Sequence, residues 1–426
     1  MASRPGLGDA VSVASSIVIL GAGTGGTLTA NRLHRELGDA VRITVVDQDD
    51  RHVYQPGLLF VPFGLADGDA IVRSRRAQLH DGIDFRLAAV DRVEVGEHAV
   101  HLEGGEQLSY DVLVIATGAR LLPGETEGLE GPWVGTTVHT FYDLPGARAL
   151  HEALEDFTGG RLVVDVVDMP IKCPVAPLEF CFLADWYFRQ RGIRDRVELT
   201  YVTPLDAAFT KPIAARTLSG LLAEKDVRLE TEFAAGRVDG ERGELISWDE
   251  RTIGFDLLVA VPAHGGAAYV DRSPGLGDPL GFVPSDPHTL RARAADDVFV
   301  IGDATDIPAS KAGSVTHFEG ETVVENIRRH LAGEELDASY DGHANCFIET
   351  GFGKALLIDF NYDVEPGPGR FPEPHIGPLP LMAESRLNHM GKLMFEWVYW
   401  HVLLPGRDMP GVSAQLQTTG RDDAPD

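Results

Sequence analysis

Cysteine and lysine are the scarce residues in this chain, three and six respectively among 426 positions. Three widely spaced cysteines cannot staple a chain of this length, so any part they play is redox or nucleophilic. No stretch approaches the ~18 uninterrupted apolar residues of a spanning helix. No basic segment followed by an apolar run opens the chain; Met1 to Ser16 is polar and rich in small residues, so no signal peptide and no export are expected. Positive charge is short as well: 37 Lys and Arg stand against 65 Asp and Glu, a net charge of -28. Such a surface repels nucleic acid and anionic head groups. An acid-rich, lysine-poor composition fits work in high salt, as in a halophile, where the Debye length falls to ~3 Å; an acidic cytosolic protein from a GC-rich genome is the alternative. Neither a CxxCH haem site nor a metal site is expected. What the chain does have is an ordinary hydrophobic share, 44%, and enough length for two or three lobes.

The first strong pattern is a βαβ unit. The apolar run Ile17-Val18-Ile19-Leu20 leads into Gly21-Ala22-Gly23-Thr24-Gly25-Gly26, a helical stretch follows to Leu37, and Val41 to Asp47 reads as the next strand. A lone GxGxxG is weak, but here strand, helix, second strand and terminal acid coincide. Gly21 permits the turn, Gly23 admits a pyrophosphate to the backbone, Gly26 lets helix and strand pack, and Asp47 is placed to accept ribose hydroxyls.

Two further buried strands end in small turns: Tyr110 to Ile115 before Ala116-Thr117-Gly118, and Val298 to Ile301 before Gly302-Asp303. They resemble the paired FAD-domain hallmarks of the pyridine nucleotide-disulfide oxidoreductase superfamily, in which the aspartate, here Asp303, contacts the ribityl chain. That superfamily carries a second Rossmann unit for NAD(P)H. Its strand is present, Arg161 to Val167, but the turn after it, Asp168-Met169-Pro170-Ile171-Lys172-Cys173-Pro174-Val175-Ala176-Pro177, holds no glycine and three prolines. Prolines lack N–H donors and side chains fill the space a pyrophosphate needs, so the nicotinamide site is expected to be lost.

Together with His52-Val53-Tyr54-Gln55-Pro56-Gly57 and Asn345-Cys346-Phe347-Ile348-Glu349-Thr350-Gly351, the Pro170-Ile171-Lys172-Cys173 segment resembles the sulfide:quinone oxidoreductases and the related flavoprotein subunit of flavocytochrome c sulfide dehydrogenase. The likeness runs from about Ser16 to Pro410. It implies an α/β fold of two Rossmann-like dinucleotide-binding domains, the FAD domain discontinuous and the second lacking its glycine motif, plus a C-terminal α+β region with an amphipathic membrane-facing helix. The bounds expected are 13–129 and 255–336 for FAD, 130–254 for the degenerate domain carrying Cys173, and 337–410 for the C-terminal region, with 1–12 and 411–426 disordered.

The resemblance implies FAD as cofactor, bound through the glycine turn and through Gln55, Pro56, Thr117, Gly118, Gly302 and Asp303. It implies a redox pair, Cys173 and Cys346, handling sulfur as persulfide or polysulfide, since hydrosulfide attack on an oxidised sulfur leaves one persulfide and one thiolate able to donate to the flavin. Lys172 is a candidate to lower the Cys173 thiol. Glu179, six residues after Cys173, is the candidate acid or base, with a dipole-favoured helix carboxylate as the plain alternative. Lys311 is expected near the flavin pyrimidine edge, where a cation favours the reduced form. Cys181 reads as a small buried apolar residue.

Near the C-terminus, Leu393, Trp397, Trp400 and Leu404 fall on one helical face, with Lys392 and Glu396 on another, which reads as an interfacial helix. Packing on the chain's own core is the alternative. Phe352, Phe360, Phe395 and Tyr399 are weak candidates to flank a quinone ring. The implied partners are sulfide and a quinone, with peripheral (monotopic) attachment at the cytoplasmic face of the cell membrane; self-association is left open. A cytochrome acceptor, a type II NADH:quinone dehydrogenase and a flavin-based persulfide sensor or carrier are the competing readings.

Overall fold

The computed structural model describes residues 14–409 and 411–417. Two five-stranded, fully parallel sheets form its frame. The first runs in the order Val298–Val300, Val112–Ile115, Ser15–Leu20, Val41–Asp47, Asp84–Leu87. Its central strands are apolar and buried along most of their length, as a parallel sheet covered on both faces requires. The second runs Val138–His139, Leu257–Val261, Gly160–Val166, Val197–Val202, Val227–Glu230. The α/β class with two Rossmann-like sheets is therefore as expected.

Among the described residues six α-helices accompany the sheets: α1 Thr24–Leu37, α2 Leu144–Asp156, α3 Ala176–Gln190, α4 Pro212–Glu224, α5 Gly313–Ala332 and α6 Arg386–Val398. α1 and α5 pack together beside the first sheet, and α3 lies against a long C-terminal hairpin, Ala344–Gly351 with Lys354–Phe360. Ser385 caps α6, its hydroxyl oxygen accepting from the Asn388 N–H, and the Asn388 amide donates to the Pro380 and Ala383 carbonyls, which fixes the start of the helix.

Two expected boundaries need correction. A break at 254 separates Leu257–Val261 from the second sheet, yet that strand pairs directly with Gly160–Val166. A wholly apolar strand carries no mark of which sheet will take it, and only the pairing decides. Residues 411–417, expected to be disordered, are tied down: the Ser413 carbonyl meets His343, and the Leu416 N–H donates to Asp341. Residues 1–12 and 418–426 lie outside the described residues. Among the described residues no helix is long and apolar enough to cross a membrane.

Candidate active site

The first glycine turn has the shape its sequence requires. Gly21 sits at φ +94°, where a Cβ would approach the Ala116 carbonyl oxygen to 2.5 Å, and a Cβ on Gly26 would collide with the Gly21 carbonyl. Gly23 has nothing within 4 Å of where its Cβ would stand, so one side of the turn is open. Gly118, at φ +67°, is open in the same way, and Thr117 Oγ1 lies 3.4 Å from the Tyr269 hydroxyl. The Gly302 N–H donates to Glu319 Oε2 at 2.6 Å, which holds the turn that presents half-buried Asp303. Asp47 accepts from the Ala22 N–H at 2.7 Å and pairs with Arg75, a cation the sequence reading did not single out. Two open glycine turns and an acid at the end of the second strand fit a dinucleotide such as FAD.

The corresponding turn of the second sheet is closed. After a cis Met169–Pro170 bond, Cys173 occupies left-handed backbone at φ 47°, uncommon for a residue with a Cβ. Three hydrogen bonds hold it there, beside a backbone bridge of its neighbour. Its N–H donates to the Lys311 carbonyl at 2.6 Å, its carbonyl accepts from the Ala176 N–H at 2.9 Å and the Tyr142 hydroxyl at 3.2 Å, and Lys172 bridges to Lys311. Lys172 Nζ donates to Gln55 Oε1 at 3.1 Å, which brings the His52–Gly57 segment against the Cys173 loop. Lys311 Nζ is committed to the Asp303 and Thr305 carbonyls at 2.9 and 2.8 Å and lies 4.0 Å from the centre of the Phe282 ring.

Cys346 sits on the inner strand of the C-terminal hairpin, half-buried like Cys173. Between their elements lies a buried charged cluster. Glu179, in the first turn of α3, pairs with Lys392 of α6 and accepts the Glu349 N–H at 2.6 Å. Lys392 also donates to the Phe347 carbonyl at 3.0 Å, and Glu349 Oε2 is 2.8 Å from His389 Nδ1. Burial, then Cys346 and Glu179, push the Cys173 thiol well up, against the pull of Lys392. Burial and Glu179 push Cys346 up to about 12, again opposed by Lys392. Burial alone lowers Lys392, but the charge and hydrogen bond of Glu179 outweigh it and raise the ammonium, so the pair keeps its proton on nitrogen. Burial raises Glu179 and Lys392 draws it back.

The structure thus gathers Cys173, Cys346 and Glu179, and adds Lys392, which the sequence reading had placed on the polar face of a surface helix. Its scarcity was the available signal: it is one of six lysines. Lys392, rather than the adjacent Lys172, is the cation that opposes the rise of both thiols. Cys181 is fully buried in α3, and burial raises its thiol.

The aromatic candidates separate. The Tyr399 hydroxyl lies 2.7 Å from Thr24 Oγ1 and 2.6 Å from His52 Nε2, so it ties the C-terminal segment to the first glycine turn and is not free to flank a quinone. Phe360 is buried beneath Lys211, and Phe352, at the hairpin turn, is 44% exposed with Lys225 over its ring. Phe395 stays half-buried on α6. Phe347, passed over in the sequence, packs so closely on Gly391 of α6 that a Cβ there would come within 2.9 Å of its ring.

Residues 15–164 match the pyridine nucleotide-disulphide oxidoreductases. The chain is 25% identical to the mitochondrial sulfide:quinone oxidoreductase of Mus musculus over 92% of this chain and 86% of the mouse protein. It is 29% identical to the Schizosaccharomyces pombe enzyme over 84% of this chain and 80% of the other. The crystal structure of the sulfide:quinone oxidoreductase from Aquifex aeolicus superposes with a TM-score of 0.79 over 92% of each chain, at 19% identity, which establishes a shared fold. FAD is the cofactor of this family, and the open glycine turns fit it.

Proposed function

We propose that this flavoprotein oxidises sulfide at Cys173 and Cys346 and delivers the electrons to a membrane quinone. The observation that carries the reading is the second turn: a strained cysteine held by three hydrogen bonds stands where a nicotinamide pyrophosphate would need glycine. FAD, when bound, supplies the two-electron relay between sulfur and quinone. With the two cysteines joined through oxidised sulfur, hydrosulfide attacks one sulfur. One S–S bond breaks and another forms, leaving a persulfide on one cysteine and a thiolate on the other; when the persulfide loses its proton and its outer sulfur rejoins that thiolate in a new S–S bond, the two electrons released would pass to FAD. The buried Glu179–Lys392 pair, whose charges act on both thiols, is assigned to receive or return a proton. Lys311, with two of its N–H bonds tied to carbonyls, is a fixed positive charge at the Asp303 turn.

The FAD-binding part is assigned to the first sheet and the sulfur-handling part to the second sheet with the C-terminal hairpin. Quinone is assigned to the space beside Phe347 and Phe395, next to α6. Peripheral attachment to the cytoplasmic membrane face is assigned to the exposed apolar side chains of α6: Leu387, Met390, Leu393, Met394 and Trp397, all more than half exposed.

Anaerobic titration of the FAD-loaded protein with sulfide and, separately, with NADH tests the reading through flavin absorbance. Bleaching by sulfide is expected, and its loss in Cys173→Ser and Cys346→Ser with FAD retained. Bleaching by NADH but not by sulfide overturns it.

A further inference from the structure

The proposed chemistry does not balance within the buried site. A hydrosulfide ion whose sulfur becomes sulfane gives up two electrons and one proton, whereas a quinone becoming quinol takes two electrons and two protons. Each turnover therefore draws one proton from outside, and the cluster that handles protons is closed to water: side-chain exposure is 2% at Glu179 and 10% at Lys392.

We propose that His389, through Glu349, is the port by which protons pass between solvent and the Glu179–Lys392 pair. The inference rests on the sulfide:quinone reading. Glu349 is 1% exposed, its N–H holds Glu179, and its carboxylate lies within electrostatic reach of both Glu179 and Lys392. Its Oε2 is 2.8 Å from His389 Nδ1, and the His389 side chain is 26% exposed, the widest opening in this run of contacts. Helical geometry sets the place of that opening. His389 is three residues before Lys392 and four before Leu393, so it stands at the seam between the inward face of α6 and the apolar stripe. Imidazole is suited to the task because either nitrogen can hold or release a proton near neutral pH. A proton reaching His389 Nε2 from water allows Nδ1 to release one to Glu349, from which it passes inward; the reverse order carries a proton out. His389 and Glu349 are positioning residues in this scheme and touch no substrate.

The test uses the FAD-loaded protein, reduced photochemically so that sulfide is not needed, and reoxidised anaerobically by a short-chain ubiquinone. Proton movement is followed in parallel during photoreduction with a pH indicator. His389→Ala is expected to slow reoxidation and proton uptake by about tenfold or more. Free imidazole should restore the rate, and substituted imidazoles should do so in order of their basicity, which a purely structural role would not produce. His389→Gln keeps a hydrogen-bond donor towards Glu349 but cannot relay a proton, so it should remain slow. Full rates in His389→Gln, or proton uptake in His389→Ala as fast as in the parent protein, overturn the proposal. Failure of sulfide or quinone to react with the parent protein sinks the functional reading instead, and the indicator measurement still decides on His389.

Discussion

Lys392 and Glu179 illustrate how much two side chains can decide. A buried pair loses several kcal/mol when one member is removed, because the other charge is left without a partner. Lys392→Met is therefore expected to destabilise the protein by about 3–5 kcal/mol, and the double variant Glu179→Gln/Lys392→Met to recover most of that loss in denaturant unfolding. Sulfide-dependent flavin bleaching should stay impaired in both, which separates the chemical part from the structural one. Asp165 is another buried acid, in the second sheet, and among the described residues neither of its carboxylate oxygens has a hydrogen-bond partner. Burial raises its carboxyl to about 8. The folded protein thus holds a neutral acid that the unfolded chain ionises near the usual ~4. Its contribution is fully present below that value and is lost as pH rises towards and through about 8. Asp165→Asn should raise the unfolding midpoint more at pH 8 than at pH 5; an equal change at both would show that the carboxyl is not the cause.

At the scale of elements, α6 departs most from expectation. The spacing of Leu393, Trp397, Trp400 and Leu404 suggests one continuous face, but the α-helix ends at Val398 and Tyr399–Leu403 forms a wider π-turn. The change of period rotates Trp400 and Leu404 inward, to 3% and 0% exposure. The outward stripe is formed instead by Leu387, Met390, Leu393, Met394 and Trp397, at spacings of three and four. Since the net charge is -28, attachment to a membrane would rest on this apolar burial and not on a basic patch. Met394→Glu/Trp397→Glu should release the protein from neutral lipid vesicles while leaving FAD content unchanged. The parent protein should stay bound in high salt, as measured by co-sedimentation; release by salt alone would count against the stripe.

At the scale of the whole molecule, the C-terminal segment is fastened to the first glycine-turn helix. Asn31 donates to the Leu404 carbonyl at 2.7 Å, Arg35 to the Gly406 carbonyl, and the Tyr399 hydroxyl meets Thr24. The apolar stripe, the cluster of Cys173, Cys346 and Glu179, and the glycine turns are therefore parts of one connected frame. The surface of that frame carries many Arg–carboxylate pairs, but pairing cannot cancel an excess of acids of this size. Self-repulsion of like charges falls as salt shortens the Debye length from about 10 Å at 0.1 M to about 3 Å at 1 M. The thermal midpoint is expected to rise steadily between about 0.1 M and 3 M salt, and a higher midpoint at low salt would remove the high-salt reading.

Local chemistry in the chain was enough to read the glycine turns, the missing nicotinamide turn and the parallel sheets, because each is a short-range requirement: a positive φ, an absent N–H, an unbroken apolar strand. Cys173 and Glu179 were candidates through the family resemblance, and they stand six residues apart across a turn and the start of α3. Which charge faces Glu179, which rings remain free beside α6, and which sheet takes Leu257–Val261 were decided only by tertiary structure. Lys392 stands 213 residues from Glu179, and sequence periodicity carries no information about contacts at that range. Burial of an ion pair, the phase of a helix after a π-turn and the pairing of a uniformly apolar strand are all set by the partner surface, which the local sequence does not contain.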